Sequence, residues 1–227
     1  MKDPIASIRN KGLSANGLKA LACLFMFIDH WGMLICPQIT ALRHIGRLAF
    51  PIFAYMIGQG YMHTHDRFAY ALRLALFAIL YQYPYQICAS SRDFNIFGEL
   101  CLGLLAIALY EKCLSKNKLA LAWAAVAGLA LLGEAASFQY GFYGIALIFS
   151  GWYFAASFDK LCLAWLCLHL PFFLTAEAES VNQGLALLAL PLLFLYNGSR
   201  GRGSKWWFYG FFCLHLPLLK LLALYVF

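Results

Sequence analysis

Charged side chains are scarce in this sequence, and their scarcity excludes most soluble folds. Only 12% of the 227 residues are Asp, Glu, Lys or Arg, whereas 63% are apolar. A soluble domain carries about 25% charged and roughly 45–50% apolar residues, so a soluble fold of this size could not hide the excess. Lipid must be the solvent for most of the surface, and we predict an integral membrane protein.

Cysteine pairs with metal-ligand spacing and blocks of basic residues are also missing. No two of the eight cysteines form a C-x-x-C pair, and most lie in apolar runs, where cysteine behaves as a small hydrophobe. We therefore expect no disulfide framework and no metal. The formal charge of +7 comes from basic residues in short gaps between apolar runs, so we expect no nucleic-acid partner and membrane lipid instead.

Long apolar runs take the place of charge. A spanning helix needs roughly 17–25 mostly apolar residues, and breaks at charges, glycines and prolines leave about nine candidates. They are approximately 17–36, 46–62, 69–89, 95–111, 119–136, 140–157, 160–176, 182–197 and 206–226. We predict an all-α, polytopic transmembrane helical bundle in which one or two of the shorter candidates are tilted, broken or re-entrant. Residues 1–16 would form a cytoplasmic N-terminal segment and 17–227 a single transmembrane domain.

The basic residues predict the orientation of this bundle. With the N-terminus in the cytoplasm, thirteen of the 17 basic residues fall in cytoplasmic segments and three fall outside. The cytoplasmic set is Lys2, Arg9, Lys11, Lys19, Arg67, Arg73, Lys112, Lys116, Lys118, Lys160, Arg200, Arg202 and Lys205, and the outer set is Arg43, Arg47 and Arg92. Because basic residues accumulate on the cytoplasmic side, we predict a multi-pass protein of the inner or plasma membrane, with its C-terminus outside.

An ionisable pair interrupts the first apolar run. Asp29 and His30 follow Lys19 by ten and eleven residues, about 15–17 Å along a helix, which puts them at or just beyond the bilayer midplane. A charge there costs at least about 2.5–3.5 kcal/mol. It is explained either by a polar contact between helices or by an acid–base site. Since adjacent helical residues diverge by about 100°, Asp29 need not bind His30 and can pair with a basic residue on another helix.

Arg47 and His215 are further candidates at similar depth. Pro51 lacks an N–H, so it leaves the carbonyl of Arg47 free and indicates a kink there. This favours Arg47 as the partner of Asp29, in a pocket that faces an anion or a thioester; the alternative is an interfacial arginine that extends to the headgroups. His215 belongs to a Cys-Leu-His-Leu-Pro segment that also occurs around His169, and the repeat does not separate the two histidines.

Several ordered motifs occur in the first 85 residues. They are Met26-x-Ile28-Asp29-His30-x-Gly32, Arg43-x-Ile45-Gly46-Arg47-x-x-Phe50-Pro51-Ile52-Phe53, Gly60-Tyr61-x-His63-Thr64 and Tyr70-x-x-Arg73-Leu74. In these motifs the sequence resembles the TraX family, named for conjugative-pilin acetylation, and weaker similarity continues to Phe208-Tyr209-x-Phe211-x-x-Leu214-His215. The sequence departs from the family at Gln139, where an aspartate is expected before Tyr140-Gly141.

The resemblance implies an acyltransferase-like transmembrane domain. It implies transfer of an acetyl or other acyl group from cytoplasmic acetyl-CoA to an amine or hydroxyl acceptor, a protein such as pilin or a glycan, at or across the membrane. Matched by motif, Asp29 and His30 would be catalytic, with Arg47 in support and His215 as a further candidate. The phosphates of the coenzyme would meet basic residues on the cytoplasmic side, although no glycine-rich phosphate loop singles out one of them. The candidates are Arg67, Arg73 and Arg202.

We expect direct transfer as a membrane-bound O- or N-acyltransferase. His30 would take a proton from the acceptor, Asp29 would orient or stabilise the histidine cation, and Arg47 would stabilise the developing oxyanion. A covalent acyl-histidine is a variant of this mechanism. Two other functions stay open: a proton-coupled transporter or flippase with Asp29 and His30 as its relay, and a non-catalytic membrane partner in an assembly complex.

Overall fold

A computed structural model describes residues 12–175 and 177–226, and within these ranges the chain is helical, with no strand beyond two isolated bridges. Eleven α-helices and one 3-10 helix follow one another through the described residues. They are α1 (Ala15–Leu34), α2 (Thr40–Gly46), α3 (Ala49–His63), α4 (Arg67–Ala89), α5 (Ile96–Leu114), α6 (Leu119–Ala135), α7 (Gly141–Tyr153), α8 (Phe158–Leu174), α9 (Ala178–Gly184), the 3-10 helix (Leu185–Ala189), α10 (Leu190–Phe194) and α11 (Lys205–Val226).

The predicted all-α class is confirmed, and every predicted apolar segment coincides with one helix or with a short series of helices. The eighth segment is broken, because α9, the 3-10 helix and α10 divide it. Residues 40–46 form the separate helix α2, where the sequence predicted a loop. Two described helices, Ala15–Leu34 and Lys205–Tyr225, are long and apolar enough to cross a membrane. The count of nine spans and the orientation stay predictions, and most of the predicted segment 1–16 lies outside the described residues.

Contacts divide the chain into two compact units. The first combines the residues up to Met56 with those from His169 onward, and the second is Ile57–Leu168. In the first unit, α1 contacts both α2 and α11. Ser14 caps α1, since its side chain accepts a hydrogen bond from the backbone N–H of Gly17. Small residues bring α1 and α2 close together: a Cβ on Gly46 would collide with the side chain of Asp29.

In the second unit, α5, α6 and α7 pack together around Ala106, Ala130 and Ile145. The first turn of α7 is held by two carboxylates from the neighbouring helices. Glu99 of α5 accepts hydrogen bonds from the backbone N–H groups of Tyr140 and Gly141, at 3.1 and 3.2 Å. Glu134 of α6 accepts one from Phe142 at 3.1 Å. Two of the acidic residues in apolar runs therefore complete a helix end, where backbone donors have no partner within the helix.

Candidate active site

Asp29 and His30 face different neighbours in the first unit, as their 100° separation predicts. Asp29 faces α2, where its carboxylate forms an ion pair with the guanidinium of Arg43. Its carbonyl oxygen is 3.4 Å from the same guanidinium group. The predicted pairing of Asp29 with Arg47 is therefore wrong: the arginine one helical turn earlier takes that position, because α2 lies against α1 and presents Arg43 there.

His30 faces α11 and forms a hydrogen-bonded pair with His215. Its Nδ1 lies 2.8 Å from Nε2 of His215, and the ring centres are 4.9 Å apart. His215 is buried, with 5% of its surface exposed. Two histidines separated by 185 residues therefore share one polar contact between the two described helices that are long and apolar enough to cross a membrane.

The hydrogen bonds of His215 determine which ring atoms carry protons. Its Nδ1 lies 2.8 and 3.0 Å from the carbonyl oxygens of Phe211 and Phe212. Carbonyls only accept hydrogen bonds, so Nδ1 must be the protonated nitrogen. When both rings are neutral, Nε2 of His215 accepts a hydrogen bond from Nδ1 of His30. Nε2 of His30 then holds a free lone pair, and no hydrogen bond to it occurs within the described ranges. This nitrogen is the basic atom of the pair.

An apolar groove leads to this pair. It lies between α1 and α11, has a volume of about 590 Å³, and is lined by Phe27 and Trp31 on one side. On α11 the rings of Trp207, Phe211 and His215 form a continuous stack at successive turns, with centre separations of 5.6 and 4.9 Å and angles of 15° and 5°. His215 is the ionisable side chain of the lining, so a molecule in the groove contacts the member of the histidine pair that lies on α11.

Arg47 lies close to the first helices but not on Asp29. It follows the end of α2, and its guanidinium donates to Oε1 of Gln183 at 3.3 Å. The Nε of Arg47 is buried and has no hydrogen-bond partner within the described ranges. The helix break falls at residues 47 and 48, between α2 and α3; α3 begins at Ala49, so Pro51 lies in its first turn, where a missing N–H is tolerated.

The predicted coenzyme-binding arginines have different environments. The guanidinium of Arg67 bonds to the carboxylate of Glu111 and to the hydroxyl of Tyr61, at 2.7 and 3.0 Å. Arg73 lies 5.8 Å from the ring centre of Tyr70 and has a buried Nε without a partner among residues 12–175 and 177–226. Arg202 is exposed, in the loop before α11. Arg67 is thus already neutralised by a carboxylate, whereas Arg202 is open to solvent.

His169 is the histidine in the other copy of the Cys-Leu-His-Leu-Pro segment. His169 is fully buried, and its ring lies edge-on to that of Phe172. The repeated segment therefore places only His215 against His30. No group of three or more potential metal ligands occurs in the part of the chain that the structure describes.

Arg43 is the site residue that the sequence prediction missed. It was assigned to a loop, because seven residues between two apolar runs are too short to show helical periodicity. One available signal was Gly46, since a glycine between apolar residues favours the close approach of a second helix. His215 and His30 are 185 positions apart in the sequence, so no local sequence pattern predicts their contact.

Comparisons with known proteins identify relatives of the chain. The sequence model described as TraX protein matches residues 14–223. The chain is 26% identical over 234 residues to the probable fimbrial assembly protein FimC, serogroup H1, of Dichelobacter nodosus, which covers 93% of this chain and 96% of that protein. It is 40% identical over 53 residues to the uncharacterized protein RP591 of Rickettsia prowazekii (strain Madrid E), covering 23% of this chain and 21% of that protein. No solved structure matches it.

Proposed function

This chain belongs to the TraX family, and on that premise we propose that it is a multi-pass membrane acyltransferase. It transfers an acetyl or other acyl group from acetyl-CoA to an amine or hydroxyl. The protein crosses the inner membrane about nine times with its N-terminus in the cytoplasm, as the basic residues indicate. The acceptor is a pilus protein or a cell-surface molecule; the relative from Dichelobacter nodosus, named a fimbrial assembly protein, supports the first.

The observation that carries this proposal is the hydrogen bond between His30 and His215. It leaves Nε2 of His30 without a hydrogen-bond partner among the described residues, and it joins that base to a second ring, His215, which lines the apolar groove and can share its proton. A general base needs a lone pair within reach of the proton that it removes, and a third group that holds it in one orientation. The pair supplies both features from α1 and α11.

The proposed step begins when the acceptor N–H or O–H meets Nε2 of His30. The acceptor atom attacks the thioester carbonyl while His30 takes its proton, and the proton on Nδ1 moves toward Nε2 of His215. The carbonyls of Phe211 and Phe212 stabilise the cation that forms on His215, because they accept from its Nδ1–H. The C–S bond then breaks, the departing thiolate takes the proton from Nε2 of His30, and His215 returns its proton to Nδ1 of His30.

Asp29 and Arg47 have supporting roles in this scheme. Asp29 was predicted to orient His30. In this proposal His215 orients it instead, because the carboxylate of Asp29 forms an ion pair with Arg43. Asp29 instead fixes α1 against α2 and so holds the backbone that carries His30. Arg47 remains the candidate for the developing oxyanion, since its buried Nε is a donor without a partner in the described ranges.

The decisive experiment measures acyl transfer from labelled acetyl-CoA by purified His30→Ala and His215→Gln proteins. His30→Ala should lose transfer, because the base is gone. A glutamine at 215 can still accept a hydrogen bond from Nδ1 of His30 but cannot take its proton, so we expect kcat to fall by about 10²-fold with little change in KM. The pH–rate profile should also lose the ionisation that the pair contributes. Thermal melting in detergent checks that both variants are folded.

The same measurements separate the two rival functions. A transporter that uses Asp29 and His30 as a relay would depend on the proton gradient and would leave acetyl-CoA unconsumed. A non-catalytic assembly partner would lose stability in these variants while showing no turnover in the wild type. Turnover by His30→Ala at the wild-type rate would refute His30 as the base.

A further inference from the structure

Four cationic side chains gather around the loop that precedes α11. Arg200, Arg202 and Lys205 are exposed in this loop and at the start of the helix. Lys19 of α1 reaches the same end of α11, where its Nζ lies 5.9 Å from the ring centre of Phe208. Within residues 12–175 and 177–226, no carboxylate forms a salt bridge with any of the four. Among the described residues, then, no carboxylate neutralises these four cations.

The loop is held in one conformation by the start of α1. The backbone N–H groups of Ala15 and Asn16 donate to the carbonyls of Ser199 and Arg200, at 2.8 and 3.0 Å. The side-chain amide of Asn16 lies 3.2–3.4 Å from the carbonyls of residues 201–203. Gly201 has a φ of +74°, and a Cβ there would collide with the side chain of Ser14. Backbone and glycines thus fix the positions from which the arginines extend.

The apolar groove extends along α11 from Trp207, two residues after Lys205, past His215 to Leu222. Trp207 and Phe211 line it between Lys205 and His215. These ten residues span about 15 Å along the helix axis. The pantetheine arm of coenzyme A has about a dozen bonds between its phosphate and its sulfur. That equals roughly four residues of extended chain, or about 15 Å at most. The stretch of α11 from Lys205 to His215 and the fully extended arm therefore have about the same length.

We infer that Lys19, Arg200, Arg202 and Lys205 bind the phosphates of the acyl-CoA donor, and that its pantetheine arm lies in the groove along α11 with the thioester at the histidine pair. This inference rests on the proposed function for the identity of the donor. Of the coenzyme-binding residues that the sequence predicted, the inferred site retains Arg202 and omits Arg67, whose charge is already paired with Glu111. Cationic side chains in a fixed loop bind phosphate through charge-assisted hydrogen bonds.

The first test measures the dissociation constants of coenzyme A and of adenosine 3′,5′-bisphosphate for the full chain in a neutral detergent, by calorimetry. Arg200→Gln/Arg202→Gln should bind both ligands at least about tenfold more weakly, which corresponds to about 1.4 kcal/mol. The matched control is Lys116→Gln/Lys118→Gln, which removes two exposed charges from another loop and should bind like the wild type. Wild-type affinity of the arginine variant for coenzyme A would overturn the inference.

The second test blocks the part of the groove between Lys205 and His215. Gly210 lines the groove, and a Cβ there would have no atom within 4 Å. Gly210→Leu should weaken coenzyme A by about tenfold and leave adenosine 3′,5′-bisphosphate unchanged, because only the arm needs the groove. Gly128→Leu on α6 also has open space and should change neither ligand. Equal effects of Gly210→Leu on both ligands, or none on coenzyme A, would contradict the proposed path.

A third measurement separates the coenzyme from lipid headgroups, which carry the same phosphate chemistry. Partition of the wild type and of the Arg200→Gln/Arg202→Gln variant into phosphatidylglycerol and phosphatidylcholine nanodiscs reports headgroup binding. A loss confined to the anionic lipid, with coenzyme affinity intact, would assign the cations to headgroups and reject the inference. Because binding is measured without turnover, an inactive protein that binds coenzyme A through this loop would refute the proposed chemistry and support the binding site. A protein that catalyses acyl transfer, and whose Arg200→Gln/Arg202→Gln and Gly210→Leu variants both bind coenzyme A like the wild type, would support the proposed chemistry and refute the binding site.

Discussion

At the scale of single residues, the ion pair of Asp29 and Arg43 determines how α1 meets α2. The two side chains are 16% and 26% exposed, and Oδ1 of Asp29 is buried without a further hydrogen bond in the described ranges. Removing one member of such a pair leaves a charge without compensation, which costs more than the pair itself contributes. The stability of this contact therefore depends on both charges together.

A double-mutant cycle tests this contact. Arg43→Ala should lower the free energy of unfolding by about 3 kcal/mol, since the carboxylate of Asp29 is then buried alone. Asp29→Asn in the Arg43→Ala background should recover a large part of that loss, because the neutral amide no longer needs a cation. Thermal melting in detergent, followed by intrinsic fluorescence, gives the four stabilities. Strictly additive losses would show that the two side chains do not interact.

The sequence predicted part of this arrangement. The cost of a charge inside an apolar run singled out Asp29 and His30, and helical geometry required that they face different neighbours. The sequence did not identify Arg43 as the partner of Asp29. Pro51 favoured Arg47 instead, and the helix that carries Arg43 has only seven residues. The choice between two arginines one turn apart depends on the packing of α2 against α1, which the local sequence does not specify.

At the scale of elements, the first turn of α7 depends on acceptors from other helices. Its described N-terminal neighbours provide no side-chain cap, and Gln139 stands where a family aspartate was expected. Glu99 and Glu134 accept from three backbone N–H groups of this turn instead. Glu99 is fully buried. Its role is the completion of a helix end, since backbone donors without partners are costly in an apolar surrounding.

Substitutions at Glu99 test this role. Glu99→Leu removes the acceptor and should destabilise the protein by about 1–3 kcal/mol, because the N–H groups of Tyr140 and Gly141 lose their partner. Glu99→Gln retains a carbonyl oxygen at the same position and should cost clearly less. Melting temperatures in detergent report the difference. If the two variants have equal stability, the acceptor at this helix end is unimportant.

The sequence predicted helix positions better than helix breaks. Long apolar runs gave the location of every major helix, since lipid-facing runs and charged gaps differ sharply in composition. The sequence predicted that one or two of the shorter segments would be tilted, broken or re-entrant. It did not predict that the broken segment is the one that forms α9, the 3-10 helix and α10. Its position depends on the hydrogen bonds of Asn182 and Gln183 with His44 and Arg47. These contacts join residues that are more than 130 positions apart, so no local pattern predicts them.

At the scale of the whole molecule, the predicted topology decides which side of the membrane each proposed site faces. The loop with Arg200 and Arg202 must lie in the cytoplasm if it is to bind a cytoplasmic coenzyme. The orientation that collects thirteen basic residues inside also puts this loop inside. The charge distribution and the proposed binding of a cytoplasmic donor thus predict the same orientation.

Reporter fusions test that orientation and the number of spans together. A reporter that is active only outside the cytoplasm should be active after Phe227 and after Arg92, and inactive after Lys116 and after Arg202. The reason is that nine spans with a cytoplasmic N-terminus put the first two positions outside and the last two, each near several basic residues, inside. Loss of one span after Lys116 would reverse the result at Phe227, and it would also reverse the result at Arg202 if the missing span precedes that loop. The opposite orientation would reverse all four. Activity of the reporter after Arg202 would put the basic loop outside, and a cytoplasmic acyl-CoA could then not bind there.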